Sequence, residues 1–289
     1  MVSTLTMEEA DMRIFISLLL IAAVAVSADV KTGGTGMPNP WSSNGTYTIE
    51  DILAGDLSSS YGLAIKTNAS NSIWILNWDD MLNVEFDMTG GSPTGTTWAI
   101  TGGVDPDDQG YCEFTGGNQW FMTDYTGSWF GVFAEDGTFI RNIDGPSGYT
   151  NLFGIDAGHD MIYVGSPNES KLAWGAYTGS ETTISWSSMD YESVYGLAVW
   201  GDYLFVACGV ESADNIFIHS IASDGTPSAS PVWSCNFAES ASASVNGGID
   251  YDGTYLWVYP QNDFLYKLSI DWDPAALDAE TWGGVKTSF

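Results

Sequence analysis

Basic residues are nearly missing from this chain: seven Lys and Arg stand against 37 Asp and Glu, a formal charge of −30 at pH 7. A surface of that sign repels phosphate backbones and anionic headgroups, which argues against nucleic acid and anionic membranes as partners. The imbalance is depletion rather than loading, because 37 acids in 289 residues, about 13%, is an ordinary share. Two His and so few cations leave little for general acid and base chemistry or for clamping phosphates. His159 sits in a turn and His219 mid-strand, in different repeats, so neither zinc nor a Ser-His-Asp arrangement is supported. Cysteine is scarce and odd in number. Cys208 and Cys235 fall on strands two apart, about twice 4.8 Å, beyond disulfide reach, so free thiols are expected.

Long apolar runs are missing too, with one exception at residues 14–26, broken only by Ser17. Val26-Ser27-Ala28 after it supplies the small residues of a cleavage site, and Met12-Arg13 a positively charged lead, whereas Glu8, Glu9 and Asp11 suit no such lead. A signal peptide over residues 1–28, with Met12 as the true start, is therefore expected, and with it a secreted, extracellular, cell-surface or periplasmic protein that spans no membrane.

What is abundant is aromatic and apolar: 13 Trp, 14 Tyr and 13 Phe, with 44% hydrophobic residues, enough for a large core. A repeat organises them. Gly62-Leu63-Ala64, Gly110-Tyr111-Cys112, Gly154-Ile155-Asp156, Gly196-Leu197-Ala198 and Gly248-Ile249-Asp250 recur at spacings of 48, 44, 42 and 52 residues. Each leads into a second strand around Trp74, Trp120, Tyr163, Phe205 or Trp257. Third strands follow at 82–88, 129–135, 171–177, 216–221 and 264–270, and fourth strands at 97–101, 138–143, 182–186 and 231–235. Asp136-Gly137, Asp224-Gly225 and Asp252-Gly253 are hairpin turn pairs. Four antiparallel strands per roughly 45 residues predict an all-β fold, a five-bladed β-propeller. The fifth unit lacks its fourth strand, and residues 46–52 alternate suitably to supply it and close the ring, which removes an unpaired edge. Six blades is the alternative, with too little chain before Gly62 to build the extra one. Residues 29–45 then form a linker, 46–273 the propeller, and 274–289 a tail packing on it.

The stretch 246–269, NGGIDYDGTYLWVYPQNDFLYKLS, resembles the repeat of secreted propellers related to the NHL, SMP-30 and glutaminyl-cyclotransferase-like groups. The resemblance implies a fold and no activity. Where the cyclotransferases carry Gln-Gly-Leu-Glu, this chain reads Tyr61-Gly62-Leu63-Ala64, so the acid of that signature is missing.

Strand alternation puts the loops between strands two and three on the same face as the loops between blades. Those windows hold Asp79, Asp80, Asp124, Glu169, Glu211, Asp214 and Asp263, together with Asp56, Asp105, Asp107, Asp108, Asp144, Asp190, Glu192 and Glu239. With no Lys or Arg in the windows, a negative potential attractive to cations is expected there. Asp105, Asp107 and Asp108 form the densest cluster and are the candidate metal ligands. Calcium, which takes flexible oxygen shells, is the candidate ion, although Gly116 occupies the position where an EF-hand needs Glu. Trp74, Trp120, Trp233 and Trp257 sit mid-strand and are expected in the core, whereas Trp78, Tyr125, Tyr149 and Tyr191 fall near turns, where rings can meet a ligand. The leading expectation is a monomeric, non-enzymatic binding module for a calcium ion, glycan or protein, with Trp78, Asp79, Asp80, Asp124, Tyr125, Tyr149, Asp190, Tyr191 and Asp263 on its binding face. A structural or adhesive component assembling by strand exchange, and a carboxylate-based hydrolase or lyase, are the alternatives.

Overall fold

The structure, a computed structural model, describes residues 30–32, 45–53, 60–66, 72–89, 91–210, 213–240, 245–261 and 263–273. The expected signal segment and C-terminal tail, most of the linker, and Asp56 and Glu211 lie outside the described residues. After two N-terminal strands, β1 (Val30–Thr32) and β2 (Thr46–Leu53), the chain builds four sheets in succession. The first holds β3 (Ser60–Lys66), β4 (Ser72–Asn77), β5 (Leu82–Phe86) and β6 (Pro93–Ala99). The second holds β7 (Pro106–Cys112), β8 (Gln119–Asp124), β9 (Trp129–Ala134) and β10 (Phe139–Asp144). The third holds β11 (Ile155–Gly158), β12 (Met161–Ser166), β13 (Lys171–Ala176) and β14 (Ser187–Asp190). The fourth holds β15 (Val194–Trp200), β16 (Tyr203–Cys208), β17 (Ile216–Ser220) and β18 (Trp233–Cys235). The fifth sheet runs β19 (Gly247–Tyr251), β20 (Leu256–Pro260), β21 (Leu265–Ile270), β2, β1. β2 pairs antiparallel with β21 from Tyr47↔Ile270 to Leu53↔Leu265, so the N-terminal strand completes the last blade and closes a five-bladed β-propeller.

The inner strands β3, β7, β11, β15 and β19 touch in cyclic order, β19 meeting β3. The buried apolar side chains form five clusters, one between each pair of adjacent blades. The four mid-strand tryptophans lie in this core as expected, with Trp74 and Trp120 facing each other between blades one and two at 5.2 Å. A β-bulge between Ile49 and Asp51 lets β2 serve two interfaces. Tyr47 and Ile49 enter the cluster between blades four and five, and the parity change sends Leu53 into the cluster between blades five and one.

The periodic glycine has a steric cause. A Cβ on Gly248 would lie 2.2 Å from the Leu63 nitrogen, and one on Gly110 would lie 2.7 Å from the Ile155 carbonyl oxygen, so only Gly admits the next blade's inner backbone so close to the axis. The turns use acids in another way. In Asp136-Gly137-Thr138, Asp224-Gly225-Thr226 and Asp252-Gly253-Thr254 the Thr backbone N–H donates to the Asp Oδ1 at 3.0, 3.0 and 2.8 Å. Part of the acidic content is thus turn chemistry.

Three details differ from the sequence reading. Residues 182–186 do not form the fourth strand of blade three: Ile184 and Trp186 pack onto the core between blades two and three, and β14 follows them. In blade one the outer strand begins four residues earlier than expected, at Pro93, where the missing N–H is tolerated at a sheet edge. Within the expected linker, Val30–Thr32 pairs with β2 as a fifth strand.

Candidate functional site

Strand direction in this ring puts the β4–β5, β8–β9 and β20–β21 turns on one face, together with the starts of β3, β7 and β15. At the axial mouth of that face lies a cavity of ≈ 250 Å³ lined by Tyr61, Trp78, Asp105, Pro106, Asp107, Tyr125 and Gln261. Trp78 and Tyr125 stand in the first two turns and remain 40% and 55% exposed. Pro106 and Asp107 open β7, and the bulge between Pro106 and Gln109 turns this segment inward. Asp107 is buried and its Oδ2 has no hydrogen-bond partner. Burial, reinforced by the charge of Asp105, holds the Asp107 carboxyl well above the usual range. Tyr61 and Tyr195 both feel Asp107 and Tyr125, and burial first, then the Asp107 charge, raises both phenols. The buried Phe153 packs against two rings near the mouth, 5.0 Å from Tyr195 and 6.0 Å from Tyr125 between ring centres.

The expected binding residues divide. Trp78 and Tyr125 meet at the mouth with Asp105 and Asp107. Asp80 is held by Asn77, whose Nδ2 donates to it at 2.9 Å, while Asp79 stays exposed. Asp124 is buried as a turn fastener: Oδ1 accepts from the Thr126 N–H at 2.9 Å and Oδ2 from the Asp105 N–H at 2.8 Å. Asp263 accepts from the Phe264 N–H at 2.8 Å. Tyr149 is half-buried against the core between blades two and three. Tyr191 corrects the sequence reading, because it is a core residue whose hydroxyl pairs with His219 Nε2 at 2.7 Å. Burial lowers that imidazole to about 4, so it is neutral near pH 7. Asp190 is not a free acid on the face either, since Lys171, the first residue of β13, pairs with it there.

The proposed metal cluster is also altered. Asp107 and Asp108 are buried in β7 rather than displayed on a loop, because the bulged strand carries them into the ring. Asp108 lies by Gly62 and by the amides of Leu63, Gln109 and Ile155, and neither of its oxygens makes a hydrogen bond of normal geometry. Among the described residues, no three His, Cys, Asp or Glu side chains converge to hold a metal.

Deeper on the axis, Asp156 Oδ2 accepts the Val199 N–H and Asp250 Oδ2 the Ile65 N–H, both at 2.6 Å. Each inner-strand acid thus ties its blade to the next. Burial raises both carboxyls, Asp250 to about 7, and the Asp250 charge raises Asp156 further. The opposite mouth is lined in part by Cys112, Glu113 and His159. Burial and the Asp156 charge push the Cys112 thiol up to about 12, which keeps it protonated and a poor nucleophile.

Sequence reasoning missed Tyr61, Pro106, Tyr195 and Gln261. A signal was present for two of them: Tyr61 and Tyr195 each precede a periodic glycine, where the inner strand begins at the mouth.

No family model matches the sequence, and no curated protein matches it. Among solved structures, the fold is similar to virginiamycin B lyase from Staphylococcus aureus at 17% identity, over 78% of this chain and 74% of that one, with a TM-score of 0.43. It is similar to a chain of the nidogen/laminin complex at 13% identity, over 85% and 99%, with a TM-score of 0.48. The PQQ-bound aldose sugar dehydrogenase from Streptomyces coelicolor stands at 12% identity, over 80% and 99%, with a TM-score of 0.46. Those activities and partners belong to those proteins, and likenesses this distant carry no argument about ligand or reaction.

Proposed function

We propose that this chain is an exported, non-enzymatic binding module that seats its ligand at the loop-face mouth of the ring. The observation that supports this reading is the cavity itself: exposed Trp78 and Tyr125 beside the half-buried Tyr61, over a buried carboxylate with an unpartnered oxygen. Concave, largely aromatic walls with a few convergent polar groups are what a specific small ligand or side chain needs. The axial carboxylates Asp156 and Asp250 already accept main-chain N–H groups, which suits a structural task better than hydrolysis. Of the ligand classes raised by the sequence, calcium would require six to eight oxygens, and a glycan or protein side chain would use the rings.

The reading is tested by screening the full chain against glycans, organic cations and calcium while following acrylamide quenching of tryptophan fluorescence. A ligand at this mouth covers Trp78 and reduces quenching, and replacing Trp78 by Phe removes that change. Failure of every class to bind, or binding that leaves Trp78 as accessible as before, would overturn it.

A further inference from the structure

Resting on that reading of the mouth, we propose that its ligand is an organic cation carrying a methylated ammonium headgroup. Three aromatic side chains, Tyr61, Trp78 and Tyr125, line the cavity, and ring faces attract cations through their quadrupoles. Among the described residues no Lys or Arg lines it, while Asp105 and Asp107 do. The deciding group is Asp107: it is 2% exposed, it lines the cavity, and its Oδ2 has no hydrogen-bond partner. A cation seated beside it would draw this carboxyl, raised by burial, into its ionised form, whereas a neutral sugar brings no compensating charge.

Size and donor count narrow the class. At ≈ 250 Å³ the cavity falls below the roughly 300–1,000 Å³ typical of drug-sized sites, so it suits a headgroup rather than an oligosaccharide. A calcium ion needs six to eight oxygens, and no three His, Cys, Asp or Glu side chains converge among the described residues. A primary ammonium is a compact, strongly hydrated charge, which three ring walls strip of water at greater cost. A methylated ammonium carries the charge with few or no donors, as aromatic cages elsewhere exploit.

The test titrates the full chain with choline, with its uncharged carbon isostere 3,3-dimethyl-1-butanol, with a methyl pyranoside and with calcium chloride, by calorimetry and tryptophan fluorescence. Choline is expected to bind at least about tenfold more tightly than the isostere, and Trp78→Ala to weaken choline about tenfold, the order expected for one lost aromatic face. Asp107→Asn should erase the preference for charge. Ile140→Ala, an exposed position on β10, should change nothing. Trp78 is a surface residue, so its variant remains informative if Asp107→Asn does not fold. Equal binding of choline and the isostere, or binding of the pyranoside or calcium without choline, overturns the cation assignment while leaving the binding module standing. Silence from all four probes overturns the cation assignment, and only an empty broader screen removes the module as well.

Discussion

Ring closure by β2 can be weakened with one substitution. Ile49 is 5% exposed and sits in the core between blades four and five, on a strand held in the blade by its pairing with β21. Ile49→Ala removes three buried carbons from a site flanked by β-strands that cannot collapse freely, so a loss of about 2–5 kcal/mol is expected. Tyr47, Ile49 and Leu53 together, at roughly 1.5–3 kcal/mol each, approach the whole 5–15 kcal/mol stability of a typical domain. Urea unfolding of the full chain should therefore show a lower midpoint for Ile49→Ala with an unchanged slope. Thr48→Ala, half-exposed on the other side of the same strand, should stay within about 0.5 kcal/mol of the parent. A loss at Ile49 no larger than at Thr48 would refute closure by this strand. A parent protein that elutes as a dimer would instead favour strand exchange between chains.

Other outcomes follow from the same geometry. Gly248→Ala puts a methyl into the Leu63 backbone at the closure point and should cost about 3 kcal/mol or more, whereas Gly116→Ala, in open space, should cost little; thermal melts compare them. Stability should rise on mild acidification. Asp250, raised to about 7 from 3.8, with Asp107, Asp108 and Asp156 raised in the same direction, holds protons in the folded state that the unfolded chain releases. The stabilisation from Asp250 is therefore full below about pH 4 and is lost as pH rises through about 7, and that from the other three is lost in the same direction, above the ordinary carboxylate range. Asp136 and Asp224, lowered by the Thr N–H groups they accept, act oppositely and withdraw stability only below 3.8. The melting temperature should peak near pH 4–5, and Asp250→Asn should flatten the limb above it. Running the series at about 1 M salt, where the Debye length is about 3 Å, suppresses general charge repulsion. A higher melting temperature at pH 8 than at pH 5 would contradict the assignment.

The architecture was legible because each of its devices is local and repeated. The axial glycine, the Asp-Gly-Thr turns and the mid-strand tryptophans each announce a backbone constraint that five blades must meet. The site was only half legible. Trp78 and Tyr125 stood out in turns, but nothing local says that Tyr191, also near a turn, folds inward to meet His219. Loop position alone also misjudged the acids: Asp107 and Asp108 are drawn into the ring by a bulge, and Asp124 is spent on its own turn. Gln261 enters from blade five, brought to blades one and two only by closure of the ring.

The most direct test of the binding mouth is its location. A nitroxide-labelled quaternary ammonium probe added to the isotopically labelled full chain should broaden NMR signals of Tyr61, Trp78, Tyr125 and Gln261 first, and leave Cys112 and His159 at the opposite mouth sharp. Broadening spread evenly over the acidic surface, or concentrated at Cys112 and His159, would contradict the account.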